Sequence, residues 1–302
     1  MILSLSRVTL AFALMATVLA AVACGTSADN GEKAGLQVVA TTVQMGALSS
    51  AVAGDDAHVT TLIGAGIDPH DFEPGPNDLK TIADADVIVR NGLGLDDWLD
   101  RTLKSAGGSA TTITATDGIT VRTIDGHPDP HVWQSPANDK IIVADIAKAF
   151  ADADPDHASE YEANATAYEA KLDEVDQQVR EIIDTIPPAN RKMVTDHDAF
   201  GYFIERYGLT YVGAVIPSTT TQAESSAKDI AALEALIKKE QVKAIFSEET
   251  ANPKVSKQIA ADTGAKVVDT LYGDSLGEPG SGADTVDGMI LSNARTIAEA
   301  LK

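Results

Sequence analysis

The stretch from Asp154 to Ile186 constrains the fold more than any other part of the chain. Its apolar or aromatic positions are Tyr161, Ala165, Tyr168, Leu172, Val175, Val179, Ile182 and Ile186. The gaps alternate between four and three residues, which draws one stripe along a helix and fits no strand. Asp154 is placed to cap the first free amides, Pro155 suits the first helical position, and Pro187-Pro188 closes the segment. At 1.5 Å per residue this is a rod of roughly 45 Å, enough to cross a small domain. Sequence of α/β character flanks it on both sides, so the rod is expected to join two lobes. A free coiled coil is the competing reading. It is weakened by having only about four heptads, with Ala165 and Tyr168 among the core positions.

A chain of 302 residues suits two lobes of ordinary size. Its 44% apolar and 23% charged residues belong to a globular protein. The formal net charge of -22 argues against a nucleic-acid partner, which needs a basic footprint, and against attraction to anionic lipid. A cationic ligand fits that charge, although solvated acidic faces give the same number.

Residues 1–23 read as an export signal of the lipoprotein type. Arg7 gives a minimal positive region, Val8 to Val22 is apolar, and the run ends in Ala21-Val22-Ala23-Cys24-Gly25. Cys24 is the only cysteine, so no disulfide forms within the chain and thiolate metal chemistry is excluded from the body. Cys24 is expected to be lipidated, with residues 24–35 a small, polar tether. An ordinary secreted protein cut near Ala23 is the alternative. No later stretch is long and apolar enough to span a bilayer. The mature protein is therefore expected outside the cytoplasm, held by lipid at the outer face of the membrane or in the periplasm.

From Leu36 onward, strand and helix signals alternate every 20 to 30 residues, the beat of βα units around a mainly parallel sheet. Strands are predicted at Leu36–Val43, His58–Ile63, Asp86–Gly92 and Thr111–Thr116, with helices between them, one capped by Asn77. Gly126–Pro136, with three prolines and two histidines, reads as a loop. Beyond the rod the beat resumes with strands near Met193, Leu209, Val242 and Lys266. The predicted fold is α/β, two (β/α)4-like lobes joined by one rigid helix. The lobes span 36–153 and 188–302, and the helix spans 154–187.

Three of the six histidines occupy the same kind of place. His70 lies in Asp68-Pro69-His70 after a strand, His131 in Asp129-Pro130-His131-Val132-Trp133, and His197 in Asp196-His197-Asp198 after Met193–Thr195. Ligands of open α/β sheets gather outside the carboxyl ends of strands, so these loops can converge. Neutral imidazole is a good donor to borderline transition metals, and proline-flanked loops hold it with little entropy left to lose. Three imidazoles and one carboxylate make a closed shell for Zn²⁺. Asp68, Asp71, Asp129, Asp196 and Asp198 are candidates to receive the distal ring N–H groups. His58 and His157 read as surface residues.

At these residues the chain resembles the metal-binding lipoproteins of bacterial zinc and manganese ABC importers. The resemblance rests on Gly66-Ile67-Asp68-Pro69-His70-Asp71-Phe72-Glu73-Pro74 and Asp129-Pro130-His131-Val132-Trp133 with Pro136. It rests further on His197-Asp198-Ala199-Phe200-Gly201-Tyr202-Phe203 with Tyr207-Gly208, and on Asp274-Ser275-Leu276 with Glu278 and Gly280. It covers nearly everything from Leu36 to Lys302. It implies one metal ion between the lobes, with His70, His131, His197 and Asp274 as ligands. Histidine rather than glutamate at the third position implies Zn²⁺, with Mn²⁺ the alternative. The histidine-rich loop of many zinc-specific members is reduced here to His127, a candidate for capture at the cleft mouth. Asp71, Glu73, Glu248 and Glu249 are further acids near the site loops.

The implied role is capture and delivery of the ion to a membrane permease driven by a cytoplasmic ATPase, by a monomer whose only membrane contact is its lipid. A full protein shell leaves no open position for activated water, which argues against an enzyme. A zinc hydrolase is the rival enzyme reading, but His-Glu-x-x-His does not occur, and the Gly273-Asp274-Ser275-Leu276-Gly277 run falls in a glycine-rich loop rather than in the tight strand-to-helix turn of a nucleophile elbow. A surface adhesion protein with a structural metal is the other rival.

Overall fold

The β-branched run after Gly35 forms β1 (Leu36–Ala40), the first element of a computed structural model that describes residues 35–124 and 126–302. The signal segment, Cys24 and the tether lie outside the described residues. There follow α1 (Val43–Ala53), β2 (Ala57–Thr61), α2 (Pro76–Ala83), β3 (Val87–Arg90), α3 (Trp98–Ala106) and β4 (Thr111–Thr114). A two-residue pairing of β5 (Thr123–Ile124) with β6 (His127–Pro128) precedes α4 (Pro136–Ala153) and α5 (Ala158–Asp184). The second half runs β7 (Lys192–Thr195), α6 (Gly201–Tyr207), β8 (Thr210–Ala214), α7 (Ala227–Glu240), β9 (Ala244–Glu248), α8 (Lys254–Thr263), β10 (Lys266–Leu271) and α9 (Val286–Leu301).

Each half builds one four-stranded parallel sheet, in the orders β2-β1-β3-β4 and β10-β9-β7-β8. Strands buried on both faces need apolar residues throughout, and all five positions of β9 are buried. In register, Val38 stands opposite Val59 on one side and Val87 on the other. Each chain order reverses beside its first strand, between β1 and β3 and between β7 and β9. Such switch points leave a crevice at the carboxyl ends of the strands.

The rod is α5, 27 residues and about 40 Å long. Its start differs from the expected one. Pro155–His157 form a separate 3₁₀ turn, and the Asp154 side chain caps nothing. The Asp154 carboxylate instead accepts from Tyr161 Oη at 2.9 Å and faces His157 Nδ1 at 2.8 Å. Similarly, α2 begins after Gly75 rather than at Asn77, with the Asp78 carboxylate taking the Gly75 N–H. The buried stripe of α5 follows Tyr161, Ala165, Leu172, Val175 and Val179, then shifts to Ile183, leaving Ile182 half-buried. A spacing of four and three averages 3.5, while the helix turns in 3.6, so the stripe drifts along a straight rod.

Hydrogen bonds tie α5 to both halves. Asn164 Nδ2 donates to Val52 O at 3.0 Å, and Tyr168 Oη donates to Asp287 Oδ1 at 2.8 Å. Asp176 receives Arg206 Nε at 2.6 Å and Tyr207 Oη at 2.9 Å. The predicted loop at Gly126–Pro136 contains β6 and a 3₁₀ turn at Val132–Gln134. Pro128 is tolerated there because the pairing is a two-residue edge.

Candidate metal centre

Four side chains from four loops meet between the two sheets. His70 sits in a 3₁₀ turn, Pro69–Asp71, whose start is held by Asp68 Oδ1 accepting the His70 N–H at 2.9 Å. His131 precedes the Val132–Gln134 turn, and its N–H donates to Asp129 Oδ1 at 3.0 Å. His197 follows β7 directly, with its N–H on Asp196 Oδ1 at 2.7 Å. Asp274 lies beyond β10, with its N–H on Glu248 Oε2 at 2.8 Å. The repeated Asp-x-His or Asp-His pattern thus has a local cause: the aspartate pins the backbone of the histidine it precedes.

His197 Nε2 stands 3.3 Å from His131 Nε2 and 3.2 Å from Asp274 Oδ2. His70 Nε2 is 3.4 Å from Asp274 Oδ2, and His131 Nε2 is 3.3 Å from Asp274 Oδ1. These donor atoms all lie within 4.8 Å of one another, close enough to converge on a single metal ion. His131 and Asp274 are fully buried and His197 nearly so, while His70 is the most accessible member. His70 Nε2 and both Asp274 carboxylate oxygens have no hydrogen-bond partner. Buried polar atoms are normally satisfied, so atoms left facing one another in this way mark a place for a cation.

The charges are arranged accordingly. Burial opposes protonation of His131, but the carboxylates of Asp274 and Asp129 outweigh it and raise the group to about 9. Burial likewise opposes a charge on His197, and Glu248 and Asp274 raise it well above the ordinary histidine value. Burial alone would push Asp274 up, yet positive charge on His197, His131 and His70 holds it well below the usual carboxylate range. The pocket is therefore poised for net positive charge, which protons or a dication can supply.

Behind His131, Asp129 Oδ1 lies 2.7 Å from Nδ1, and Asp129 Oδ2 is paired with Arg122. Arg122 also reaches Glu205 at 2.8 Å, and Tyr202 Oη donates to Asp129 O at 3.0 Å. The loop is fastened across the cleft by Trp133 Nε1, which donates to Gly273 O at 2.8 Å, and by Gln134 Nε2 on the same oxygen at 3.1 Å. Behind His197, Glu248 Oε1 lies 2.9 Å from Nδ1. The His70 loop is held by Thr221 on Asp68 at 2.6 Å, Gln222 Nε2 on His70 O at 2.7 Å, and Gly66 N–H on Ser275 Oγ at 2.7 Å.

Among the five aspartates considered for ring contacts, only Asp129 makes a short one. Asp68 and Asp196 serve backbone amides, and Asp71 is exposed and bonded to Gln222. Asp198 is buried without reaching any of the three imidazole rings; burial and the Asp129 carboxylate push its carboxyl up. Glu73 and Glu249 are exposed. His127 is exposed and lines, with His70, an open cavity of about 820 Å³. His58 is exposed and His157 pairs with Asp154, both away from the cluster. Arg122, Tyr202 and Gln134 were not legible as site residues: the Tyr202–Asp129 and Gln134–Gly273 contacts span 73 and 139 positions, and nothing local marks Arg122 as the partner of Asp129.

The family model described as "Zinc-uptake complex component A periplasmic" matches residues 38–300. A manganese-binding lipoprotein of Halalkalibacterium halodurans is 31% identical over 303 residues, covering 98% of this chain and 99% of the relative. An iron-binding protein of Yersinia pestis is 31% identical over 285 residues, covering 93% of this chain and 90% of the relative. The solved structure of a periplasmic zinc-binding protein from Treponema pallidum superimposes with a TM-score of 0.83 at 28% identity, covering 88% and 99% of the two chains.

Proposed function

The chain belongs to the family of periplasmic zinc-uptake complex A components, substrate-binding proteins of metal ABC importers and not enzymes, and we propose that the ion it captures is Zn²⁺. In this reading His70, His131, His197 and Asp274 hold the ion and present it to a membrane permease driven by an ATPase. Cys24, outside the described residues, carries the lipid, and residues 36–153 and 188–302 act as the two jaws with 154–187 as their fixed spine.

One observation carries the zinc assignment: a nitrogen, His197 Nε2, occupies the third corner, 3.3 Å from His131 Nε2. Three imidazoles and one carboxylate favour zinc over manganese, which prefers oxygen-rich shells. Manganese is the second reading, favoured by the way both Asp274 oxygens face histidine nitrogens. A bidentate carboxylate would give five donors and suit a larger ion. The names of relatives, manganese-binding in one case and iron-binding in another, make the distinction worth testing. The test is dialysis of residues 25–302 against equal free Zn²⁺ and Mn²⁺, followed by metal analysis. One zinc per chain is expected, and manganese in the majority would reject the assignment.

A further inference from the structure

Glu248 occupies a position that metal binding alone does not account for. It ends β9, on the other side of the switch point from β7, whose end carries His197. Its carboxylate is buried and touches two of the clustered residues, through Oε2 by a hydrogen bond and through Oε1 by a charge contact not aligned as a hydrogen bond. Oε2 accepts the backbone N–H of Asp274 at 2.8 Å, and Oε1 lies 2.9 Å from His197 Nδ1. Its own N–H donates to Asp196 Oδ2 at 2.7 Å, and the other oxygen of Asp196 takes the His197 N–H at 2.7 Å. The space is made for it: a Cβ at Gly273 would collide with the Glu248 carboxylate. The loops bearing the third and fourth ligands are therefore both fastened to one side chain.

We propose that Glu248 is a positioning residue. It keeps the His197 proton on Nδ1, turns Nε2 toward the ion, and locks His197 and Asp274 into one preorganised pair. An imidazole that donates its distal N–H to a carboxylate is a more basic and better-oriented metal ligand, and removing such partners typically costs 10–100-fold in metal affinity. The second acceptor within reach, Asp196 Oδ1, is 3.5 Å from Nδ1 and already holds a backbone amide, so it does not replace Glu248. His131 has the corresponding device in Asp129, but Asp129 holds only its own loop and its ties to Arg122 and Tyr202. Glu248 instead bridges two of the clustered residues, His197 and Asp274, from different loops. The inference rests on the metal-capture reading above.

The test compares wild type, Glu248→Gln and Glu249→Gln in the full soluble body. Glutamine keeps the shape but has one acceptor oxygen, so it can satisfy either the Asp274 N–H or the His197 ring, not both. Glu249 is the exposed neighbour and serves as control. Zinc affinity is read by chelator competition, and the His197 ring by nitrogen-15 spectra of the zinc-loaded proteins, with circular dichroism to verify folding. The expected result is a 10–100-fold loss for Glu248→Gln, with the His197 Nδ1 proton moved upfield and exchanging faster, and no change for Glu249→Gln. Affinity within twofold of wild type, or a loss of affinity with an unchanged His197 ring signature, overturns the proposal. Failure of wild type itself to bind zinc overturns the underlying capture reading instead.

Discussion

Protons and the metal compete for the same nitrogens, so affinity must depend on pH in a way the site geometry sets. Burial disfavours charge on His131, but the Asp274 and Asp129 carboxylates raise it to about 9. At pH 7 that proton must leave before Nε2 can bind an ion, at a cost of about 3 kcal/mol, on the order of 100-fold in apparent affinity. His197 is also raised and can release a second proton. Apparent zinc affinity should therefore rise about tenfold per pH unit for each proton released between pH 6 and 8, and flatten above about 9. The sign for stability is opposite. A histidine raised above its unfolded value stabilises the metal-free fold fully below about 6.5, and that contribution disappears as pH rises through about 9. Metal-free protein should lose thermal stability across that window, whereas zinc-loaded protein, with Nε2 engaged, should not show the same fall. Calorimetric titration in two buffers of different ionisation enthalpy counts the protons released. No proton release at pH 7, or an affinity flat from pH 6 to 8, would refute the reasoning.

Two other outcomes follow from the packing. Asp139 is fully buried with neither carboxylate oxygen hydrogen-bonded, and burial, reinforced by the Asp287 carboxylate, raises its pKa well above the usual range. A raised carboxyl binds more protons folded than unfolded, so its cost grows as pH rises above about 4. Asp139→Asn should therefore raise the unfolding midpoint at pH 7, by about 1–3 kcal/mol in stability, and a lowered midpoint would contradict this. Because α5 is bonded to both halves, the lobes should close little on binding. Small-angle scattering of metal-free and zinc-loaded protein should give nearly superimposable curves; a large hinge change would sink the fixed-spine account.

The loops that bring His70, His131 and His197 together were legible because their signal is local. An aspartate precedes each histidine, with a proline between the two at His70 and His131, and His197 directly follows a strand. Those same aspartates pin the histidine backbones in the structure. The rod was legible from its spacing, apart from its first turn, where Asp154 found side-chain partners instead of helix amides. Glu248 carried only a faint signal, as one acid among many at the end of a buried strand. Its importance arises from the reversal of strand order between β7 and β9, which sequence does not display. Arg122, Tyr202 and Gln134 lie further out of reach, because their partners are set by how two sheets are docked along α5.

The measurement that bears most directly on the central claim is a competition titration of the metal-free body with Zn²⁺ and Mn²⁺ against a chromophoric chelator, with His197→Glu run in parallel. One tight zinc site is expected, with manganese far weaker and the gap narrowed when the His197 nitrogen is replaced by a carboxylate. Comparable affinities in wild type, or a preference that His197→Glu leaves unchanged, would contradict the assignment of zinc to this cleft.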